Sequence, residues 1–64
     1  MRDISRIESC CAKLAEIWRQ YPDLRLTQLM LLGTSEFTRE KGYDAFYAED
    51  QEFLDFFFDY VQRS

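Results

Sequence analysis

From Asp3 to about Gln20 the apolar residues Ile4, Ile7, Cys10, Cys11, Leu14, Ile17 and Trp18 recur at steps of three and four. At 100° per residue they fall within one arc of about 160°, the pattern of a helix with a single covered face. Arg6, Glu8, Lys13, Glu16 and Arg19 take the opposite side, and Asp3 suits the N-cap or first turn. Pro22 stops this helix, because the residue before a proline is pushed out of helical geometry, and Asp23 is placed to cap the next one.

In 24–32 Leu26, Leu29 and Met30 share a face while Leu31 and Leu32 lie off it. This predicts a second helix covered on more than one side, and therefore a central one. Gly33 either ends that helix as its C-terminal glycine or marks the close approach of a neighbouring backbone, and Thr34 and Ser35 favour an end or a kink. The segment 35–41 has room for a further helical turn or two around Phe37, closed by Gly42. Asp44 to Ala48 is too short to classify by period; it reads as an extended lead-in to the last helix, with a brief pairing to 24–26 open to it.

A third helix is predicted over 49–62, where Glu49, Asp50 and Glu52 put carboxylates at the positive end of the helix dipole. Phe56, Tyr60, Phe53, Phe57, Val61, Leu54 and Phe58 fill an arc of about 200° on its wheel. Two helices cover only part of so wide an arc. Phe56 and Tyr60 at one margin and Phe58 at the other are thus expected at the surface or in an interface. The pattern as a whole predicts an all-α domain over 1–64, three helices with a short extended segment before the last. Sixty-four residues with 47% hydrophobic and 17% aromatic side chains leave room for one core and are too apolar for a disordered chain.

Charge changes the picture more through its distribution than through its net value of −4. Residues 1–32 balance to about +1 and residues 33–64 to about −5, and between Tyr43 and Tyr60 there are six carboxylates and no cation. Direct nucleic-acid binding, which needs clustered Lys and Arg, is disfavoured, and so is attraction to an anionic membrane. The longest apolar run, Leu29 to Leu32, is far short of the roughly 20 residues of a membrane span, and no basic stretch precedes an apolar one near the start.

Candidate chemistry is sparse. The chain has no histidine, so Ser-His-Asp and Cys-His arrangements are absent, and Gly33 and Gly42 belong to no phosphate-binding loop. Asp44, Glu49 and Asp50 lack the spacing of an EF-hand, and no catalytic, cofactor or metal site is assigned. Cys10 and Cys11 are neighbours whose side chains diverge, so a disulfide between them would demand a strained turn. They read as two reduced thiols in a cytoplasmic protein, buried as small hydrophobes on the apolar arc, with a redox pair as the other reading.

Two blocks, Trp18-Arg19-Gln20-Tyr21-Pro22-Asp23-Leu24-Arg25-Leu26-Thr27-Gln28-Leu29 and Phe46-Tyr47-Ala48-Glu49-Asp50-Gln51-Glu52-Phe53, cover about a third of the chain. They resemble a group of small bacterial and phage-borne proteins that share W-x3-P-D-L-R-x2-Q-L and F-Y-x-E-D-x-E-L, with a looser likeness to the YihD-like proteins of unknown function. Phe53 stands where that pattern has leucine. The resemblance implies a small, mostly helical cytoplasmic protein and brings no activity with it. It also suggests that Trp18 packs over the Pro22-Asp23 turn, and that Gln28 and Arg25 bond to the 46–50 segment, with Arg25 paired to Glu49 or Asp50.

Aromatics rimmed by charge are characteristic of protein interfaces. The expected role is a non-enzymatic protein–protein interaction module, a small adaptor or inhibitor of phage or mobile-element type, with Glu52, Asp55, Phe56, Asp59 and Tyr60 as its contact residues. Its partner would be another protein or a second copy. The alternative is an acidic imitation of nucleic acid that blocks a DNA- or RNA-handling protein, such as a host-defence complex.

Overall fold

The first helix ends at Arg19, three residues ahead of Pro22, and the turn beyond it is closed by backbone bonds and one side chain. Gln20 N–H donates to Ile17 O, Tyr21 N–H to Trp18 O and Leu24 N–H to Tyr21 O. Trp18 lies over this turn as expected, donating Nε1–H to Leu24 O at 2.8 Å. The structure, a computed structural model, describes residues 4–63; Asp3, expected at the start of the helix, lies outside them. The elements are α1 (Ser5–Arg19), α2 (Leu26–Lys41), a 3-10 turn (Ala45–Tyr47) and α3 (Asp50–Arg63). The described residues thus form the all-α, three-helix domain that the pattern predicts.

α2 differs from its prediction at both ends. It begins at Leu26 with Arg25, not Asp23, at the N-cap position, and Gln28 Oε1 accepts the Arg25 N–H at 2.8 Å. Gln28 therefore caps its own helix instead of reaching the 46–50 segment. At the other end α2 runs without a break through Gly33 to Lys41. Thr34 satisfies its hydroxyl inside the helix by donating Oγ1–H to Met30 O at 2.8 Å. Gly33 is where aromatic rings press on the helix, since a Cβ there would stand 2.6 Å from Phe57 Cε2 and 3.0 Å from Phe53 Cζ. Gly42 closes α2, its φ of 83° being the left-handed conformation that glycine adopts without penalty.

The 44–48 segment is a 3-10 turn and not an extended lead-in. Asp44 Oδ1 accepts the Phe46 N–H at 3.0 Å, and Tyr47 N–H and Ala48 N–H donate to Asp44 O and Ala45 O. This local capping takes up the N–H groups a strand would use, and of the expected pairing partner 24–26 Leu26 is already helical.

The central element is α3, not α2. α1 and α2 each lie along α3 and scarcely touch each other. Leu31, whose off-face position suggested a second covered side for α2, is exposed. The wide aromatic arc of α3 serves both neighbours: Leu54, Phe56, Phe57 and Val61 are buried with Ile17 of α1 and Leu29 and Phe37 of α2. Phe37 is the hub, meeting Phe56 edge-on at 5.4 Å between centroids, Tyr43 edge-on at 5.4 Å and Phe53 tilted at 5.8 Å.

Phe56, expected at the surface, is only 8% exposed. The margins of the arc are closed by long side chains rather than by a third helix. Lys41 reaches from the end of α2 to within 5.9 Å of the Phe56 ring, and Tyr60 stacks on Phe56 at 6.1 Å. On the opposite margin Lys13 of α1 holds Nζ 4.4 Å above the Phe58 ring, leaving Phe58 and Tyr60 half-buried. Lysine stems cover apolar surface while their charges stay in water, so they extend the reach of both flanking helices.

Candidate functional site

Because α1 and α2 pack chiefly on α3 and scarcely on each other, a gap stays open between them over Phe53 and Leu54. The apolar stripe of α1 is covered most fully in its second half, by burial of Ile17 and partial burial of Leu14 and Trp18, with Cys10 partly buried ahead of them. Ahead of Cys10, Ile7 lines the gap and is 48% exposed, and Ile4, just before the helix, is 74% exposed. The 3-10 turn forms the far wall, where Asp44 holds the backbone so that Phe46 and Tyr47 project from it, 83% and 75% exposed. The two rings meet edge-on at 5.1 Å and brace each other rather than the core.

The result is an open cleft of about 450 Å³ with Ile7, Leu14, Met30, Ala45, Phe46 and Leu54 among its walls. The charged side chains lining it are Arg6 and Asp50, and they are paired with each other, Nη1 to Oδ2 at 3.0 Å. Asp50, one of the two acids that the motif reading offered to Arg25 along with Glu49, therefore takes Arg6 as its guanidinium partner. Cys10 and Cys11 also line the cleft, Cys10 half-buried and Cys11 exposed, both as free thiols. The expected burial holds in part for Cys10 and fails for Cys11, which stays exposed on the open side of α1 as Ile7 does, although α3 begins beside this half of the helix through the Arg6–Asp50 pair.

The acids and aromatics singled out on α3 do not converge on this cleft. Glu52 is exposed and accepts the Tyr43 hydroxyl at 2.7 Å. That hydrogen bond, with desolvation and the Glu52 charge adding to it, raises the pKa of Tyr43 above its ordinary value. Asp55 Oδ1 accepts from Gln51 Nε2 at 2.8 Å, and Asp59 pairs with Arg63 at 3.0 Å. Each of the three carboxylates already has a partner within its own fold. Phe56 belongs to the core, and Tyr60, stacked on it, is half-buried.

Sequence reasoning missed Phe46, Tyr47 and Ile7 as site residues. The signal available was a run of four apolar residues, Ala45 to Ala48, wedged between the turn former Asp44 and the acidic residues from Glu49 on. Among the described residues no group of three or more Cys, Asp or Glu side chains could hold a metal ion, and no helix is long and apolar enough to cross a membrane. Comparison with protein-family models, with curated proteins and with solved structures gives no match. A functional reading rests on the geometry of the chain itself.

Proposed function

We propose that this chain is a protein–protein interaction module, a small adaptor or inhibitor without catalytic activity of its own, and that it docks through the face formed by the cleft, Ile4, Ile7, Phe46 and Tyr47. One observation carries the reading: two adjacent aromatic side chains stand almost wholly in solvent beside an apolar cleft. A single exposed apolar residue needs no explanation, but a contiguous patch with paired aromatics at its edge is what an interface displays. The contact set thereby moves from the α3 ridge of Glu52, Asp55, Phe56, Asp59 and Tyr60 to the opposite walls of the gap. Free thiols at neighbouring helical positions suit a reducing compartment, which supports a cytoplasmic setting.

Imitation of nucleic acid is the weaker reading, because Arg63 offsets Asp59 and Arg6 offsets Asp50, which shortens the anionic row on α3 to Glu52 and Asp55. The test is partner binding by Phe46→Ala/Tyr47→Ala against Asp55→Asn/Asp59→Asn. The aromatic pair is expected to lose affinity by at least about 30-fold, the usual weight of an interface anchor, and the acid pair to lose little. The reverse ranking removes the proposal.

A further inference from the structure

We propose that the cleft holds a soft monovalent metal ion, copper(I), between the thiolates of Cys10 and Cys11 on α1 and the thioether of Met30 on α2. The chain has two cysteines and two methionines, and three of these four sulfur-bearing side chains line the same cleft. They come from two helices that scarcely touch, so the fold, and not chain order, brings Met30 to the cleft that the thiols line. Cys10 and Met30 are half-buried, Cys11 is exposed, and both cysteines are free. The site needs neither Phe46 nor Tyr47 and so stands or falls apart from the docking face.

Geometry and donor chemistry select the ion. Neighbouring helical side chains diverge by about 100°, which keeps the two thiols from the about 2.0 Å approach of a disulfide. An ion between them needs no such approach: at about 2.3 Å per metal–sulfur bond, the length of zinc thiolates, it joins sulfurs roughly 4–5 Å apart. Thiolate and thioether donors are soft, and together they favour copper(I) over ions that prefer oxygen. Asp50, the carboxylate lining the cleft, is taken by Arg6 at 3.0 Å, so calcium and magnesium find no unpaired carboxylate in its walls. Structural zinc takes four ligands, commonly thiolates and histidines, and the chain has no histidine and no third cysteine. Copper(I) is satisfied by two or three sulfurs, and the apolar walls beside them, Ile7, Leu14 and Leu54, offer it no competing ligand. On loading, each thiol gives up its proton to solvent and the bis-thiolate ion carries one net negative charge. No electron is transferred, because the copper enters and stays monovalent.

Anaerobic titration of the chain with copper(I), in competition with a chromophoric copper(I) chelator, tests the site. X-ray absorption reads the ligand shell and sedimentation reads the mass. One ion per monomer is expected, in a shell of sulfur alone. Cys10→Ser and Cys11→Ser are each expected to weaken binding at least about 100-fold and Met30→Leu about 10-fold, because each removes one ligand. Met30→Leu conserves volume and Cys11 is exposed, so Met30→Leu and Cys11→Ser leave folding intact, which circular dichroism checks. Failure to take copper(I) from the chelator overturns the site, as does full affinity in either cysteine variant. Wild-type affinity in Met30→Leu, or a copper-bridged dimer, also overturns it, because the thiols would then bind as surface ligands without the wall that α2 supplies.

Discussion

A Cβ on Gly33 would stand 2.6 Å from Cε2 of Phe57, and this contact explains why a glycine occupies the middle of the longest helix. Glycine weakens a helix interior by about 0.5–1 kcal/mol relative to alanine, so Gly33→Ala would ordinarily stabilise. Here the added methyl meets a fully buried ring with Phe53 behind it, and overpacking costs about 1–3 kcal/mol. The expected net effect is a destabilisation of about 1–2 kcal/mol, or a melting temperature lower by roughly 5–15 °C in a domain this small. Urea denaturation measures it, and a stabilised Gly33→Ala would show that Phe57 moves aside freely.

Phe46→Ala and Phe56→Ala should separate surface from core. Phe56 sits between Phe37, Tyr60 and the Lys41 stem, and its truncation should cost about 3–5 kcal/mol. Phe46 contacts little beyond Tyr47, so its truncation should stay within about 0.5 kcal/mol. Equal losses in chemical denaturation would place Phe46 in the core and remove it from the docking face.

The Tyr43 hydroxyl held by Glu52 gives the fold an alkaline weakness. With the folded pKa raised above the unfolded value near 10, the protonated phenol is the form that folding favours. Its contribution is complete below that unfolded value and is lost as pH climbs through the raised folded one. Wild type should therefore lose more stability than Tyr43→Phe at strongly alkaline pH, and phenolate titration of the pair should show the missing group titrating late. Parallel stability profiles would mean that the Glu52 contact has no weight in solution.

Docking through an apolar face and docking through carboxylates respond oppositely to salt. Affinity is expected to hold or to strengthen as ionic strength rises, because apolar burial is insensitive to screening and any repulsion between negative partners is reduced. A steep loss of binding with added salt, together with competition by an oligonucleotide, would return the acids of α3 to the centre of the account.

Much of this fold can be read directly from the chain. The three-and-four spacing of Ile7, Leu14 and Ile17, the break at Pro22, the close at Gly42 and the acids at the start of α3 all mean what they say, because each acts within one turn of itself. The errors concern relations between elements. Gly33 reads either as an end or as a point of close approach, and the structure has the close approach, made by the rings of Phe57 and Phe53 and not by a neighbouring backbone. Phe56 reads as a surface residue because a helical wheel counts neighbouring helices and not the reach of Lys13 and Lys41 from them. Phe46 and Tyr47 carry no periodic signal in a turn of three residues, and only the gap between α1 and α2 shows them beside a cleft.

The most direct test of the docking face is photocrosslinking in the cells that carry the protein, with a photoreactive side chain placed at Tyr47 in one variant and at Asp55 in another. Both positions are exposed, so neither replacement disturbs the core. The account predicts a discrete crosslinked protein from position 47, a second copy or another chain, and none from position 55. A crosslink from position 55 with none from position 47 would contradict it and move the contact surface to the acidic side of α3.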